Sequence, residues 1–523
     1  MGHLGMNERV AAAWLLLPEY LAEHVLLSAA AMALGLVLSL GLTIAAIRST
    51  AVRWPVLAFA SLVQTIPGLA LLALFYPLLL AASALATHLV GVGFSALGFL
   101  PSLLALTLYS MLPVIRNGVT GVVNLDPAVI EASRAVGMTE RQRLWRVELP
   151  LAAPMLMAGV RTAAVWVIGA ATLSTPVGQT SLGNFIFAGL QIQNWVSVLF
   201  GCVSAAALAM LVDSLLGLME NGIARRSRWR VAAGTLVLLS GVVLAAVTRG
   251  GAAPATYVIG SKNFSEQFIL AELLARKVRA EGGTVGQRSG LGSAIVFEAL
   301  ASGDIDVYVD YSGTIWANVM RRTDVPTRDA ILDEMRGWLA REHGIVLLGS
   351  LGFENAYALA MRRDRASSLG IESIADLAAH ASRLRIGGDL EFFARPEWSA
   401  IRGGYGLSFE SRREFEPTFM YEAVTGGEVD VISAFTSDGR IAANDLVVLE
   451  DPRGVILPYD AIVLVAAKRA ADPVLRRALT PLVDAISVAL MREANYRVDR
   501  DVDKATPAAA AEWLDARILG VQR

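Results

Sequence analysis

Apolar positions divide the chain into two unlike parts. Up to about Val247 it consists of long apolar runs; from about Thr256 to Arg523 apolar and charged residues alternate in short segments. A bilayer core takes roughly 20 apolar residues per helix. Six runs meet that need, near His24–Ile47, Val56–Leu80, Phe99–Ile115, Met155–Thr175, Trp195–Leu218 and Val231–Val247, the third and sixth being short. Pro67, Pro77 and Pro113 lie in or at the ends of these runs, where neighbouring helices or water can satisfy the freed backbone groups. In the second part, Tyr257–Gly260 and Ile305–Val309 predict strands. Ser265–Ala280 predicts a helix with Phe268, Ile269, Leu273 and Leu274 on one side. Ser373-Ile374-Ala375-Asp376 has the form of a capping-box helix start. Strands alternating with helices argue for α/β sheets, and about 270 residues suits two lobes around a cleft, a favoured place for a ligand. Gly250-Gly251-Ala252-Ala253-Pro254 reads as the joint.

Positive charge orients the membrane part. The segments after runs one, three and five carry Arg48 and Arg53, then Arg116, Arg134, Arg141, Arg143 and Arg146, then Arg225, Arg226, Arg228 and Arg230; the segments after runs two and four carry no Lys or Arg. Basic loops stay in the cytoplasm, so the N-terminus and the globular part are expected outside. The first run follows a 23-residue tail and is too long for a signal-peptide core. The sixth run reads as an anchor, with cleavage near Ala253 as the alternative. A composition of 55% hydrophobic and 18% charged residues fits a chain partly in lipid. A net charge of −2 gives no support for nucleic-acid binding. A single cysteine, Cys202, allows neither an intrachain disulfide nor a Cys-based metal site, the five histidines lack metal spacing, and no cofactor is expected.

The cytoplasmic loop 117–154 is the informative stretch of the membrane part. Asp126 can cap a helix with Pro127 at its first position, and Gly137 can end it. A short amphipathic helix there suits a partner's groove, or is a plain interfacial helix. Glu131-Ala132-Ser133, Gly137 and Leu149-Pro150 resemble the EAA loop of ABC importer permeases, with Ser133 departing from the family's Ala. Gln64–Ala73 and Leu182–Leu190 are similar to stretches in permeases of the glycine betaine/choline branch. The resemblance implies that Glu131, Ala132 and Gly137 couple to an ATPase. No GxxxxGK[ST] phosphate loop occurs, so the chain reads as a transport protein rather than an enzyme, with ATP hydrolysed by a separate cytoplasmic subunit. A second copy of the chain completes the permease by the same resemblance.

Six ordered motifs of the globular part resemble substrate-binding proteins of the betaine/choline class: Gly260–Gln267, Gly303–Thr314, Asn355–Leu359, Glu391–Pro396, Ala434–Arg440 and Pro458–Asp460. The implied architecture is multi-domain. Residues 1–253 form an all-α polytopic domain of about six helices, of the type I ABC importer permease class. Residues 254–523 form an α/β two-lobed type II periplasmic-binding-protein domain, lobe one about 256–360 with 461–523 and lobe two about 361–460. The implied location is the bacterial inner membrane, with the receptor in the periplasm or outside the cell.

A quaternary ammonium cannot donate a hydrogen bond but is held by aromatic faces, each worth roughly 0.5–2 kcal/mol. Carried over by motif, the cage is Tyr311, Tyr357, Phe435 and Tyr459, with Phe435 replacing the family's usual Tyr. The family motifs point to Lys262, Arg395 and Thr314 for a carboxylate clamp, Arg being suited to bidentate carboxylates. Asn263, Glu391 and Asp438 are weaker candidates. Two cations disfavour choline, so the resemblance implies a zwitterion such as glycine betaine, proline betaine or carnitine. Ergothioneine or choline import is the alternative. A ligand-gated channel or membrane receptor using the same two-lobed fold is the rival of another class.

Overall fold

The computed structural model describes residues 2–192, 194–250, 255–500 and 503–521. Most of the expected joint, Gly251–Pro254, lies outside the described residues. The chain forms two compact units, one mainly of the N-terminal membrane part and one mainly of the globular part.

In the membrane unit six segments are long and apolar enough to cross a bilayer: Ala13–Arg48, Gly68–Val90, Phe99–Val123, Glu140–Val177, Trp195–Ala224 and Arg228–Gly250. The expected run Val56–Leu80 is not one helix. It breaks at Ile66–Pro67 into helices Thr50–Thr65 and Gly68–Val90, because Pro67 has no N–H to continue a ladder and pushes the preceding residue into extended backbone. Ile66 has φ −76° and ψ 126° accordingly. The expected N-terminal tail is also helical, since a single helix covers Gly2–Arg48.

Helix Phe99–Val123 is the most enclosed of these and packs along Leu149–Ala171. Gly159 permits the approach: a Cβ there would lie 2.6 Å from the Pro113 carbonyl. Small residues at such crossings are how membrane helices gain contact. His24 is fully buried and joins three segments, Nε2 donating to Ile168 O at 3.0 Å while Nδ1 accepts from Leu182 N at 3.3 Å.

The loop helix forms as its residues dictate. Asp126 accepts from Ala128 N at 2.9 Å, Pro127 opens helix Pro127–Ala135, and Gly137 ends it at φ +77°. A Cβ on Gly137 would meet nothing within 4 Å, so the left-handed backbone and not space calls for glycine. Glu131, Ala132 and Gly137 are exposed; Ser133 is buried and donates to Ile130 O at 2.6 Å.

The globular unit holds two five-stranded mixed sheets. The strands are β1 Tyr257–Lys262, β2 Val285–Leu291, β3 Val307–Tyr311, β4 Val346–Glu354, β5 Tyr357–Arg362, β6 Arg385–Asp389, β7 Ser411–Phe415, β8 Val431–Phe435, β9 Leu446–Val448 and β10 Asp460–Val465. The sheet orders are β2-β1-β3-β10-β4 and β7-β6-β8-β5-β9. The helix expected at Ser265–Ala280 has those bounds, and the capping box at Ser373 and Asp376 forms. The chain passes from the first sheet to the second at Asn355–Ala356, a few residues before the expected 360, because β5 pairs with β8 and β9. It returns between β9 and β10. The two crossings touch, Asn355 N donating to Tyr459 O at 2.9 Å.

Candidate functional site

Four of the expected site residues meet where the strands cross. Tyr357 opens β5 and Phe435 closes β8, and the antiparallel register sets them directly opposite, with ring centroids 4.8 Å apart. Tyr459, at the entry to β10, meets Tyr357 edge-on at 5.6 Å, and Phe392 lies 5.4 Å from Tyr357 on another side. Arg395 stands between helices Leu390–Ala394 and Pro396–Tyr405 and lays its guanidinium over the Tyr357 ring at 5.1 Å. Arg395 also donates to the Tyr459 hydroxyl at 3.3 Å, and that hydroxyl donates to Glu397. Arg395 and Glu397 lie 4.0 Å apart with side chains 6% and 1% exposed, so the cation is nearly dry and has a carboxylate beside it. Burial pushes the Tyr459 phenol well up, with Arg395 opposing and Glu397 reinforcing the shift.

Gly313 is part of the construction. Its Cβ would lie 2.6 Å from the Tyr459 ring, so the ring rests directly on backbone of the buried turn Ser312–Thr314. Ser312 secures that turn by donating to Pro458 O at 3.0 Å and accepting from Asp460 N at 2.9 Å. Thr314 is buried in the same turn.

Tyr311 belongs to a neighbouring polar group around Glu266. This fully enclosed carboxylate accepts from Tyr311 Oη at 2.5 Å, Asn355 Nδ2 at 3.0 Å, Asn495 Nδ2 at 2.8 Å and Ser437 Oγ at 2.5 Å. Tyr311 and Asn495 come from the first-sheet lobe, Asn355 from the crossing and Ser437 from the end of β8, so one carboxylate ties both lobes. Burial raises its pKa, opposed by those four hydrogen bonds. Burial and then Glu266 raise the Tyr311 phenol well above its usual value.

Lys262 has a carboxylate partner of its own. Its ammonium contacts Asp310 Oδ1 at 2.5 Å, both side chains being nearly inaccessible, and lies 5.3 Å from the Tyr311 ring. Asp310 further accepts from Tyr308 Oη and Tyr311 N. Asp438 likewise forms a turn: it caps helix Gly439–Ala443, pairs with Arg440 at 2.7 Å and accepts from Tyr421 Oη at 2.6 Å. Burial alone would raise its pKa; Arg440 and these hydrogen bonds prevail and lower it. Asn263 is exposed and lines one cleft together with three other expected site residues, Lys262, Phe435 and Asp438, and with Phe264, Glu266, Asn355 and Ser437. The side chain of Glu391 lies outside the described residues.

Sequence reasoning missed Glu397 and Glu266. Glu266 sits within the Gly260–Gln267 motif, in the first turn of a helix, where an acid ordinarily faces solvent and suits the helix dipole. Glu397 sits in the first turn of helix Pro396–Tyr405, an equally ordinary place.

Residues 255–516 match the family described as the substrate binding domain of ABC-type glycine betaine transport system, and residues 37–228 match the binding-protein-dependent transport system inner membrane component. The chain is 28% identical over 473 residues to the ergothioneine transport permease/ergothioneine binding protein EgtU of Helicobacter pylori (strain G27), covering 87% of this chain and 82% of that one. It is 35% identical over 199 residues to the glycine betaine/carnitine/choline transport system permease protein OpuCB of Bacillus subtilis (strain 168), covering 38% and 84%. A crystal structure of a glycine betaine/carnitine/choline ABC transporter shares 26% identity with a TM-score of 0.45, covering 50% of this chain and 98% of that one. The second match decides for a transport permease over a gated channel. With six spans and the arginine asymmetry it makes the chain a multi-pass inner-membrane protein whose binding domain is on the outer side. Through its residues 255–516 the chain belongs to the family of substrate-binding domains of ABC-type glycine betaine transport systems, carried here on one polypeptide with a transport permease.

Proposed function

We propose that the chain imports betaine-like quaternary-ammonium zwitterions: glycine betaine, proline betaine or carnitine. The observation that carries this reading is the Tyr357–Phe435–Tyr459 group, two buried tyrosines and a half-buried phenylalanine, with a cation, Arg395, already over the Tyr357 ring. Such a surface is built to hold positive charge by ring faces. A ligand's trimethylammonium takes the ring face as Arg395 turns to its carboxylate. Three or four such contacts at roughly 0.5–2 kcal/mol each approach the ~8 kcal/mol of micromolar binding.

A separate cytoplasmic ATPase engages the exposed helix Pro127–Ala135 through Glu131 and Ala132, with Gly137 setting the turn that follows. Two copies of the chain form the pore, and each receptor, tethered to it, works at high effective concentration. Ergothioneine is the second reading, favoured by the similarity to the Helicobacter protein over 87% of this chain and by Phe435, which lacks one hydroxyl of the family's usual cage. Calorimetry of the full chain in detergent against glycine betaine, proline betaine, carnitine, choline and ergothioneine tests the reading. Choline binding tighter than every zwitterion refutes the zwitterion assignment, and ergothioneine binding alone selects the second reading.

A further inference from the structure

Helices Leu149–Ala171 and Trp195–Ala224 carry charge in the cytoplasmic half of the bilayer span and, at Glu220, just beyond the apolar run Trp195–Leu218. Arg161 donates from Nε and Nη2 to the two oxygens of Asp213 at 3.0 and 2.8 Å, and from Nη1 to Glu220 at 2.8 Å. Arg161 is six residues into the apolar run Met155–Thr175, about 9 Å along it at 1.5 Å per residue. The triad has one carboxylate in excess. Its side chains are about a third exposed in the single chain: 33% for Arg161, 36% for Asp213 and 26% for Glu220. Charge at the centre of a span costs about 2.5–3.5 kcal/mol per residue or more against lipid, and charged side chains within spans characteristically face protein or a water-filled cavity.

The same face holds a recess of about 460 Å³ lined by Ala158, Arg161, Thr162, Val165, Trp166 and Asp213. Trp166 is exposed, one helical turn beyond Thr162. Indole offers the strongest cation-binding face among side chains. An indole beside a net negative triad suits a quaternary ammonium, which asks for polarizable faces and countercharge but no hydrogen bond.

We propose that this recess is a transit subsite on the translocation path, with Trp166 as the ring face and Asp213, backed by the net negative charge of its triad, as the countercharge for the ligand's trimethylammonium group. It rests on the import reading above. The test uses the full chain in liposomes with Cys202→Ser and Thr162→Cys. Two thiol reagents are compared, trimethylammonium-ethyl methanethiosulfonate and its anionic sulfonatoethyl counterpart. In each, the thiolate attacks the sulfenyl sulfur, methanesulfinate leaves and a mixed disulfide forms.

After correction for their rates with a free thiol, the cationic reagent is expected to react at least about tenfold faster, the lower range of focusing by a charged cleft. Asp213→Asn with Glu220→Gln brings the ratio towards one. Since those changes also release Arg161, Trp166→Ala is a second arm: it lowers the preference for the trimethylammonium reagent over a primary-ammonium analogue. Equal rates for the two charges overturn the subsite. No reaction with either reagent also overturns it, lipid or a second copy then covering the face. Solute calorimetry tests the import reading and the thiol reaction, run without solute, tests the subsite, so a failure of the one is distinguishable from a failure of the other.

Discussion

Replacing Arg395 is expected to turn a zwitterion receptor towards bare cations. The guanidinium has two jobs that pull in opposite directions: it sits on the Tyr357 ring at 5.1 Å and lies beside Glu397 at 4.0 Å. For a zwitterion, Arg395→Met removes charge-assisted hydrogen bonds to the carboxylate worth about 1.5–3 kcal/mol, or roughly 10–150-fold in Kd. For choline the same change vacates a ring face worth about 0.5–2 kcal/mol and leaves the Glu397 charge for the ligand, a gain of roughly 2–30-fold. Since the trimethylammonium of either ligand takes the vacated face, that gain cancels in the ratio of glycine betaine to choline affinity, which falls by about 1.5–3 kcal/mol. Methionine keeps much of the volume, but Glu397 loses its nearby cation in a buried place. Breaking a buried pair costs about 3–5 kcal/mol, so Arg395→Met with Glu397→Gln is the folding control. Titration calorimetry on the full chain with both ligands, alongside thermal melts, reads the outcome. Equal weakening of both ligands, with the melt unchanged, would falsify the two-role account of Arg395.

Further outcomes follow from other contacts. Gly313→Ala drives a methyl to 2.6 Å from the enclosed Tyr459 ring; overpacking of about 1–3 kcal/mol and weaker solute binding are expected, and an unchanged melt speaks against the ring's placement. At Gly137 the φ of +77° in open space makes the cost conformational. Gly137→Val therefore loses co-purifying ATPase while Gly137→Asn, tolerant of left-handed backbone, keeps it; equal loss in both sinks the turn argument. Asp499 is pushed up to about 7 by burial and then by Asp438, against Arg440 and a hydrogen bond from Ser265. Because the folded carboxyl holds its proton more tightly than the unfolded one, its stability contribution is complete below about pH 4 and declines as pH rises towards 7, by at most about 1.4 kcal/mol per unit. Hydrogen exchange of helix Val488–Asp499 is expected to lose protection over that range beyond the intrinsic rate change, and Asp499→Asn to flatten the loss; equal slopes in both proteins exclude Asp499 as the cause.

Much of this protein is legible in one dimension because the forces involved are local. Hydropathy over roughly 20 residues marks spans, arginine asymmetry orients them, and Asp126, Pro127 and Gly137 delimit a helix through backbone chemistry within a few residues. Even the break in the second run follows from Pro67, although length alone suggested one continuous helix. Tyr357, Phe435, Tyr459 and Arg395 are legible as motif residues, but only the fold brings them into contact, with β5 and β8 pairing Tyr357 to Phe435, 78 positions apart in the chain. Lys262 and Arg395 look alike in sequence as clamp cations; folding sets each beside a carboxylate and an aromatic ring, Lys262 in direct contact with Asp310 and Arg395 at 4.0 Å from Glu397. Glu266 reads as a solvated acid at a helix start until Tyr311, Asn355, Ser437 and Asn495 close over it from both lobes. The sequence by itself determined the spans, their orientation and the kinds of residue available to a site. Tertiary structure decided which charges are already neutralised and which rings face a cation, because burial and pairing depend on residues far apart in the chain.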